Sequence, residues 1–240
     1  MTGRRSVPDP TLDLERSLAA DGADMVLGID EVGRGCLAGP VMLGVAAISS
    51  RRLLAGERPV DGVRDSKLLT QKRREVLLPA LEDWCDAWAV GSASNAEIDE
   101  FGIAYCLGLA ALRAIAAVEE TLRRAEGATM PGARLRFAGI LDGPNDYITP
   151  VAGTLYAPPM DSPVAITTRV KGDQSCALVS TASVIAKVTR DRWMMDLAAS
   201  HPEWDCYGWE SNKGYGSAAH RQAIHDHGVT PYHRASWHLA

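Results

Sequence analysis

The chain has 240 residues, of which 46% are hydrophobic and 23% are charged, and its formal net charge is −5. A chain of this size can bury a substantial core, either as one large domain or as a domain with an appendage. The net negative charge gives no general attraction for nucleic acid. A nucleic-acid partner would therefore have to be bound by a local basic surface.

The sequence disfavours secretion and membrane insertion. The first residues include two arginines but no apolar segment, and no run of about 18 apolar residues occurs anywhere. We therefore expect a cytoplasmic protein. The cysteines are odd in number and scattered, without a C-x-x-C pair, which argues against a disulfide framework and a thiolate zinc site. They are Cys36, Cys85, Cys106, Cys176 and Cys206.

The first elements are a short helix and two strands. Residues 1–22 are predicted to be a tail or a short helix centred on TLDLERSLAA. The apolar runs MVLGIDE and PVMLGVAAI follow, separated by Gly33-Arg34-Gly35, and this pattern predicts two strands joined as in a hairpin. A polar surface loop then covers residues 51–69 and ends in DSKLL.

The middle of the chain is mainly helical in pattern. Residues 70–88 carry apolar side chains at helical spacing, and Pro79 is expected to kink that helix or to start a new turn. The run WAVGSAS then predicts a strand. Ser94 and Glu97 fit a capping box at the start of a long helix that reaches Arg124. Its predicted buried face comprises Ile103, Leu107, Ala111, Ala114 and Val118.

A strand, a loop, another strand and a long helix follow a break at residues 126–133. RLRFAGILDG predicts a strand that ends in Asp142, and the proline-rich loop 143–163 is long enough to suggest a functional or partly mobile excursion. VAITTRV predicts a strand that leads directly into Lys171-Gly172-Asp173. The next long segment, from Ser175, predicts a core helix, and turn signals surround a short helix at 217–227.

This order of elements predicts an α/β fold with a mixed five-stranded sheet flanked by helices. Residues 23–200 are expected to form the main domain, and residues 201–240 a C-terminal helical appendage. Asp30, Asp142 and Asp173 then lie at strand ends. Because sites in open α/β sheets form in the crevice outside the strand ends, these three segments are expected to converge there.

The acidic residues at those strand ends suggest a metal site. Asp30, Glu31, Asp142 and Asp173 would form an oxygen-only cluster, which selects Mg²⁺ or Mn²⁺ over zinc or copper. Two such ions can catalyse phosphodiester hydrolysis. The ordinary alternative is that each acid caps a helix, forms a salt bridge or faces solvent. Neighbouring strand residues also point to opposite faces, so Asp30 and Glu31 share an ion only if the strand ends or twists there.

The chain resembles the ribonuclease HII family over residues 25 to 237. The resemblance is carried, in this order, by GIDEVGRGCLAGPV, DSKLL, ILDG, VKGD, ASVIAKVTRD and NKGYGSAAH. It implies a ribonuclease H-like sheet with a C-terminal helical segment, and it places the four acidic metal ligands on Asp30, Glu31, Asp142 and Asp173. The implied substrates are the RNA strand of RNA/DNA hybrids and single ribonucleotides embedded in duplex DNA. Cleavage 5′ to the ribonucleotide would leave 3′-hydroxyl and 5′-phosphate ends, as needed to remove misincorporated ribonucleotides.

The resemblance also implies substrate-binding residues. Backbone amides can sense a 2′-hydroxyl at close range only where no Cβ obstructs the approach, which suits Gly33-Arg34-Gly35. By similarity, this loop grips the ribose at the RNA-to-DNA junction, and Tyr215 packs on the following deoxynucleotide sugar. The ordinary alternatives are a tight hairpin and a packed aromatic. The candidate phosphate contacts are Lys67, Lys171, Lys187, Arg190 and Lys213.

Some alternatives remain open at this point. Asp191 could replace Asp173 as the fourth ligand, although it lies well inside a predicted helix. Arg190 and Arg192 could simply interact with a helix dipole. His220, His225 and His227 lie on different parts of a helix without accompanying carboxylates or thiolates, which disfavours structural zinc.

Other functions of the same fold have to be weighed as well. They are ribonuclease HIII, a junction-resolving nuclease and a non-catalytic hybrid-binding module. Ribonuclease HIII would carry an extra N-terminal domain, whereas only 29 residues precede Asp30. All four carboxylates are present, which disfavours the non-catalytic module. A monomer is expected, and contact with a sliding clamp is left open.

Overall fold

The computed structural model of the protein describes residues 8–126, 134–237 and 239. This part of the chain contains a five-stranded sheet with strand order β3-β2-β1-β4-β5. The strands are β1 (Met25–Val32), β2 (Val41–Ser49), β3 (Ala87–Ala93), β4 (Phe137–Asp142) and β5 (Val164–Arg169). All five predicted strands are therefore confirmed.

The sheet is mixed, as the sequence predicts. β1 pairs antiparallel with β2, and β2 pairs antiparallel with β3, whereas β1 and β4 pair in parallel, as do β4 and β5. The short loop between β1 and β2 allows only a hairpin connection, while the helices between the later strands allow crossovers. The parallel pairing brings the carboxyl ends of β1 and β4 to the same edge.

Nine α-helices occur within the described ranges. They are α1 (Asp13–Ala20), α2 (Ser50–Leu54), α3 (Gln71–Trp84), α4 (Asn95–Phe101), α5 (Ile103–Glu126), α6 (Gly172–Ser175), α7 (Ala177–Ser200), α8 (Trp209–Asn212) and α9 (Ala218–His227). Short 3₁₀ segments also occur at Ser66–Leu68 and Pro202–Tyr207. Within these ranges, no helix combines the length and the apolar character that a membrane crossing requires.

The two long helices cover opposite faces of the sheet. α5 packs on the face that carries Leu27 and Ile29, and α7 packs on the face that carries Val26. Alternate residues of β1 thus point to different layers, as strand geometry requires. A Cβ on Gly28 would overlap the backbone of Leu178, so α7 can lie this close to β1 only because Gly28 has no side chain.

The N-terminal helix α1 packs against the start of α7. Thr11 forms a parallel bridge with Cys176, and Glu15 is buried with its Oε1 accepting the Leu178 N–H at 3.0 Å. A carboxylate at this position satisfies one of the unpaired N–H groups at a helix N-terminus. The division into residues 1–22, 23–200 and 201–240 remains a prediction.

Three element boundaries differ from the sequence-based expectation. Residues 51–69 are not only loop, because they include most of α2. The helix predicted from Ser94 to Arg124 has the expected capping box but breaks at Gly102, whose φ of 79° lies in the left-handed region that glycine tolerates. The helix with Pro79 ends at Trp84, so Trp88 belongs to β3. Of the break predicted at residues 126–133, residues 127–133 lie outside the described residues.

The C-terminal segment packs beside the loop that follows β1. Leu37 and Ala38 share a core with Met194, Trp209 and Ile224. Backbone bridges join Cys36 to Tyr215 and Ala38 to His233. The short helix predicted at 217–227 is present as α9. The described part of the C-terminal segment therefore adjoins the loop that carries Gly33-Arg34-Gly35.

Candidate active site

Asp30 and Glu31 lie on β1, which continues to Val32, so the strand does not end at the acidic pair. Asp30 is buried on the α7 face, and its Oδ1 accepts the Glu31 N–H at 2.9 Å. Glu31 points to the other face, where its Oε2 accepts the Tyr147 hydroxyl at 3.0 Å. The alternation predicted for neighbouring strand residues therefore applies to this pair.

Asp142 is the last residue of β4, the strand that pairs with β1. Its Oδ1 accepts the N–H of Gly172 at 2.7 Å and that of Asp173 at 3.4 Å. These N–H groups open the short helix α6, so Asp142 also has the helix-capping role of an ordinary strand-end acid. The same contacts bring Asp173 beside Asp142.

The sequence suggested that Asp173 directly follows β5, but in the structure it does not. β5 ends at Arg169, and Asp173 lies in the first turn of α6, after Lys171 in the left-handed conformation with φ of 58°. A non-glycine residue with this φ is strained and is held by its surroundings. Asp173 is buried, and Lys67 Nζ lies 3.4 Å from its Oδ2.

The charged side chains of the site shift one another's pKa values. Burial raises the pKa of Asp30 well above its usual range, and the charges of Glu31 and Asp142 raise it further, while Lys67 opposes them. Burial and the charge of Asp142 raise the pKa of Asp173 to about 6. The pKa of Lys67 is raised by Asp30 and Asp173 despite the opposing effect of burial. Asp30, Asp142 and Asp173 are therefore close enough to form one electrostatic group.

This acidic group fits a hard divalent cation by its chemistry. Its donors are all carboxylate oxygens, and their mutual repulsion at a largely buried position favours compensation by positive charge. Lys67 supplies only part of that charge. The fit rests on the chemistry of the donors and not on a ready-made coordination geometry, because within residues 8–126, 134–237 and 239 no three or more histidine, cysteine, aspartate or glutamate side chains are gathered as a metal site.

Sequence reasoning missed a further acidic residue of the site. Asp65 is buried, its Oδ1 accepts the Lys67 N–H at 2.9 Å, and its Oδ2 accepts the Gln174 side-chain amide at 3.3 Å. It also raises the pKa of Asp173. The signal was present in the sequence, since Asp65 immediately precedes Ser66 and Lys67 in the DSK motif.

The loop Gly33-Arg34-Gly35 borders a cleft of about 170 Å³ beside the acids. The cleft is lined by Asp30, Glu31, Val32, Gly33, Arg34, Gly35, Ser66, Lys67, Ser183, Lys187 and Tyr215. Gly33 has φ of 81°, and a Cβ there would overlap the Arg190 guanidinium. A Cβ on Gly35 would meet nothing within 4 Å, so the protein leaves open space beside that residue.

Tyr215 is partly exposed at the wall of the same cleft. It is 39% exposed, and its ring centroid lies 5.5 Å from Lys187 Nζ and 5.8 Å from Arg190 Cζ. These distances are typical of cation–π contacts. The ring therefore has a packed side and a side open to the cleft.

The candidate phosphate contacts separate into two groups. Lys67 and Lys171 are exposed, and Lys187 lines the cleft while its Nζ lies 2.6 Å from Asp191 Oδ1. The prediction is wrong for Arg190 and Lys213. Arg190 is fully buried and donates to backbone carbonyls, and the ammonium of the buried Lys213 donates to the Glu210 carbonyl. Neither group is accessible to a phosphate.

The dipole interpretation of Arg190 and Arg192 is also wrong. α7 ends at Ser200 and has no basic residue in its last turn. Arg190 lies in the middle of this helix, and Arg192 pairs with Glu75.

The structure also bears on Asp191 as an alternative metal ligand and on the histidines as zinc ligands. Asp191 pairs with Lys187 and, at 3.7 Å, with Arg74, whereas it is Asp173 that adjoins Asp142. His220 is buried against His233, while His225 is exposed and pairs with Asp226.

Comparisons with known proteins identify the family of the chain. The model of the ribonuclease HII family matches residues 27–124 and 153–240. The ribonuclease HII of Streptomyces avermitilis is 44% identical over 95% of this chain and 83% of its own length. That of Paracoccus denitrificans is 42% identical over 95% of this chain and 91% of its own. The solved ribonuclease H2 from Pyrococcus horikoshii OT3 is 28% identical, with a TM-score of 0.63 over 90% of this chain and 95% of its own.

The match to the family model covers Asp30, Glu31 and Asp173 but not residues 125–152, which include Asp142. Asp142 is linked to the site by its contacts with Gly172 and Asp173. The relatives extend over nearly the whole chain, and the solved relative has the same overall fold. The chain therefore belongs to the ribonuclease HII family and is a ribonuclease H, a metal-dependent hydrolase with endonuclease activity on RNA/DNA hybrids.

Proposed function

We propose that this enzyme incises duplex DNA on the 5′ side of single embedded ribonucleotides, in addition to cutting the RNA strand of hybrids. The products carry 3′-hydroxyl and 5′-phosphate ends, and the cellular role is the removal of misincorporated ribonucleotides. The observation that supports this proposal is one cleft that joins Asp30 and Glu31 to Lys67, to the loop Gly33-Arg34-Gly35 and to Tyr215. Acidic, basic and sugar-facing groups thus lie within reach of one nucleotide step.

The catalytic residues of the proposal are Asp30, Glu31, Asp142 and Asp173, which would hold Mg²⁺ or Mn²⁺ through carboxylate oxygens. Two such ions, when bound, supply activation of a water and stabilisation of the leaving oxygen in phosphodiester hydrolysis. The chain itself orients the carboxylates. The Tyr147 hydroxyl donates to Glu31, and the Gly172 N–H donates to Asp142.

Recognition of the ribose is assigned to Gly33, Arg34 and Gly35. The open space beside Gly35 allows a sugar to approach the backbone closely. A 2′-hydroxyl, which is both a donor and an acceptor, distinguishes ribose from deoxyribose at such a distance. Tyr215 packs on the deoxynucleotide sugar that follows, with the part of its ring that is exposed to the cleft.

Contact with the phosphate groups of the substrate is assigned to Lys67, Lys171 and Lys187. Lys67 and Lys187 line the cleft, and Lys171 is exposed two residues before Asp173, which supports assigning their ammonium groups to the backbone of a bound duplex. Such contacts position the duplex without reading its sequence. They also form the local basic surface that a chain of net charge −5 requires.

The proposal is tested by mapping the cut on a DNA duplex that contains one ribonucleotide, with and without Mg²⁺ or Mn²⁺. We expect a single metal-dependent cut on the 5′ side of the ribonucleotide and no cut in the all-DNA duplex. Asp142→Asn should still bind the duplex but lose this cutting, because a metal-holding carboxylate becomes neutral. Undiminished turnover of that variant, or a cut at another position, would reject the assignment.

A further inference from the structure

Arg234 is a fully buried arginine in the C-terminal segment, far in sequence from the catalytic strands. Its guanidinium forms no salt bridge with any acidic side chain in the described part of the chain. A buried, unpaired cation is costly, so its retention calls for a specific set of hydrogen bonds. Burial lowers the pKa of Arg234 to about 10, and a group with that pKa remains charged at neutral pH.

The guanidinium of Arg234 donates to backbone carbonyls of the loop that follows β1. Nη2 donates to the Gly33 carbonyl at 2.6 Å, and Nη1 donates to the Arg34 carbonyl at 2.8 Å. Nε and Nη2 both lie 3.2 Å from the Gly39 carbonyl. One side chain therefore fixes both the beginning and the end of the loop formed by residues 33–39.

The orientation of these carbonyls determines where the neighbouring N–H groups point. A trans peptide unit is planar, so the carbonyl of one residue and the N–H of the next point in opposite directions. Because the Gly33 and Arg34 carbonyls are turned toward Arg234, the N–H groups of Arg34 and Gly35 are turned away from it. Neither N–H donates to an acceptor within the described residues, and both residues line the cleft.

Arg234 is itself held in a fixed place. Its N–H donates to the Leu37 carbonyl at 2.9 Å, and its guanidinium lies 4.7 Å from the centroid of the Trp237 ring. Asp99 of α4 accepts the N–H groups of Ala235 and Ser236 at 2.9 and 3.0 Å. The arginine is thus positioned by its own backbone and by the residues that follow it in sequence.

We propose that Arg234 is a positioning residue for ribose recognition, which holds the Arg34 and Gly35 N–H groups as a pair of donors aimed at the 2′-hydroxyl side of the scissile nucleotide. This inference rests on the proposed function, since it assigns a cause to the selectivity of the same cleft. Arg234 does not touch the substrate. Its effect is exerted through the direction of two peptide units, which lysine cannot reproduce because its single ammonium lacks the planar fork of donors.

The test measures binding selectivity in the Asp142→Asn background, where bound duplex is not cut. The dissociation constants of a duplex with one ribonucleotide and of the same all-DNA duplex are measured by fluorescence anisotropy, with Arg234 intact and with Arg234→Lys. We expect the preference for the ribonucleotide duplex to fall about tenfold or more in Arg234→Lys, since the loss of one well-placed donor pair amounts to about 1.4 kcal/mol. Binding of the all-DNA duplex should change little.

The control is Arg136→Lys, the same substitution at an exposed arginine before the amino end of β4. A merely structural role of Arg234 would weaken binding of both duplexes equally, because it would reduce the folded fraction. An unchanged preference in folded Arg234→Lys overturns the inference while leaving the proposed function intact. If the protein with Arg234 intact shows no preference for the ribonucleotide, the proposed function itself fails.

Should Arg234→Lys fail to fold, as judged by circular dichroism, Gly35→Pro removes one of the two N–H donors directly. A Cβ at Gly35 meets no protein atom within 4 Å, so this variant tests the donor with Arg234 in place. A loss of preference in Gly35→Pro supports the inference. A retained preference overturns it.

Discussion

Acidification is predicted to destabilise the packing beneath Tyr215 through a buried histidine pair. The Thr230 N–H donates to His233 Nδ1 at 2.9 Å, so that nitrogen carries no proton. His233 Nε2 must then carry the proton and lies 3.1 Å from His220 Nε2, whose single lone pair also accepts the Trp209 Nε1–H. His220 Nδ1 in turn donates to the Tyr215 carbonyl at 2.9 Å. This arrangement requires both imidazoles to be neutral, because an added proton on His233 Nδ1 or His220 Nε2 would face another donor.

The shifted pKa of His233 determines how much free energy of unfolding is lost when this buried pair is protonated. Burial, together with the nearby His220, lowers the pKa of His233 from 6.5 to about 4. The unfolded chain therefore binds this proton more tightly than the folded protein, and stability falls as the pH decreases from 6.5 toward 4. Between pH 7 and pH 5 this single group should remove about 2 kcal/mol from the free energy of unfolding.

Other buried groups act with the opposite sign. Burial raises the pKa of Glu15 to about 7 and that of Asp173 to about 6, so these acids are protonated more easily in the folded protein and favour folding as the pH falls. The total pH dependence therefore mixes both effects. The contribution of His233 is isolated by comparing the protein with His233→Asn, which retains hydrogen-bonding capacity but does not titrate.

The assay is urea unfolding at pH 7 and pH 5, followed by tryptophan fluorescence, since Trp209 donates to His220. His233→Asn will itself cost stability at pH 7, and its additional loss between the two pH values should be smaller by about 2 kcal/mol than in the unsubstituted protein. His225→Asn, at an exposed histidine of α9, serves as the control and should retain the full loss. Equal losses in the protein with and without His233 would refute the assigned hydrogen-bond roles.

Three further predictions concern the cleft and the core. Tyr215→Ala should lose the preference for cutting at the RNA-to-DNA junction, as measured on hybrids with defined junctions, whereas an unchanged preference would leave the ring only a packing role. Glu15→Ala leaves the Leu178 N–H unsatisfied and should cost about 1–3 kcal/mol in urea unfolding, while Glu15→Gln, which keeps an acceptor oxygen, should cost less. Gly28→Ala forces a methyl group into the backbone of α7 and should destabilise by about 1–3 kcal/mol or more, whereas Gly35→Ala should leave stability nearly unchanged. Equal melting temperatures of the two glycine variants would contradict that packing argument.

Local patterns in the sequence determined most of the framework. Alternating or continuous apolar runs identify all five strands, and the Ser94 capping box marks the start of α4. These features depend on residues within a few positions of each other, so they can be read without knowledge of the fold. The placement of Asp142 at the end of β4 followed in the same way.

Several boundaries depended on more than local pattern. The break at Gly102 interrupts an apolar spacing that otherwise continues, so only the backbone conformation reveals two helices. Asp173 was expected directly after β5, but a left-handed Lys171 and the start of α6 intervene. Here the contacts with Asp142, rather than propensity, set the conformation.

By itself, the sequence determined the order of the elements and the nature of the acidic and glycine motifs. Only the tertiary structure decided which charges reach the cleft. Arg190 and Lys213 belong to basic motifs, yet both are buried on backbone carbonyls, and Arg234 lies 201 positions from Gly33, whose carbonyl it binds. Exposure and partner choice depend on contacts between distant parts of the chain, and those contacts exist only once the sheet, α7 and the C-terminal segment have packed together.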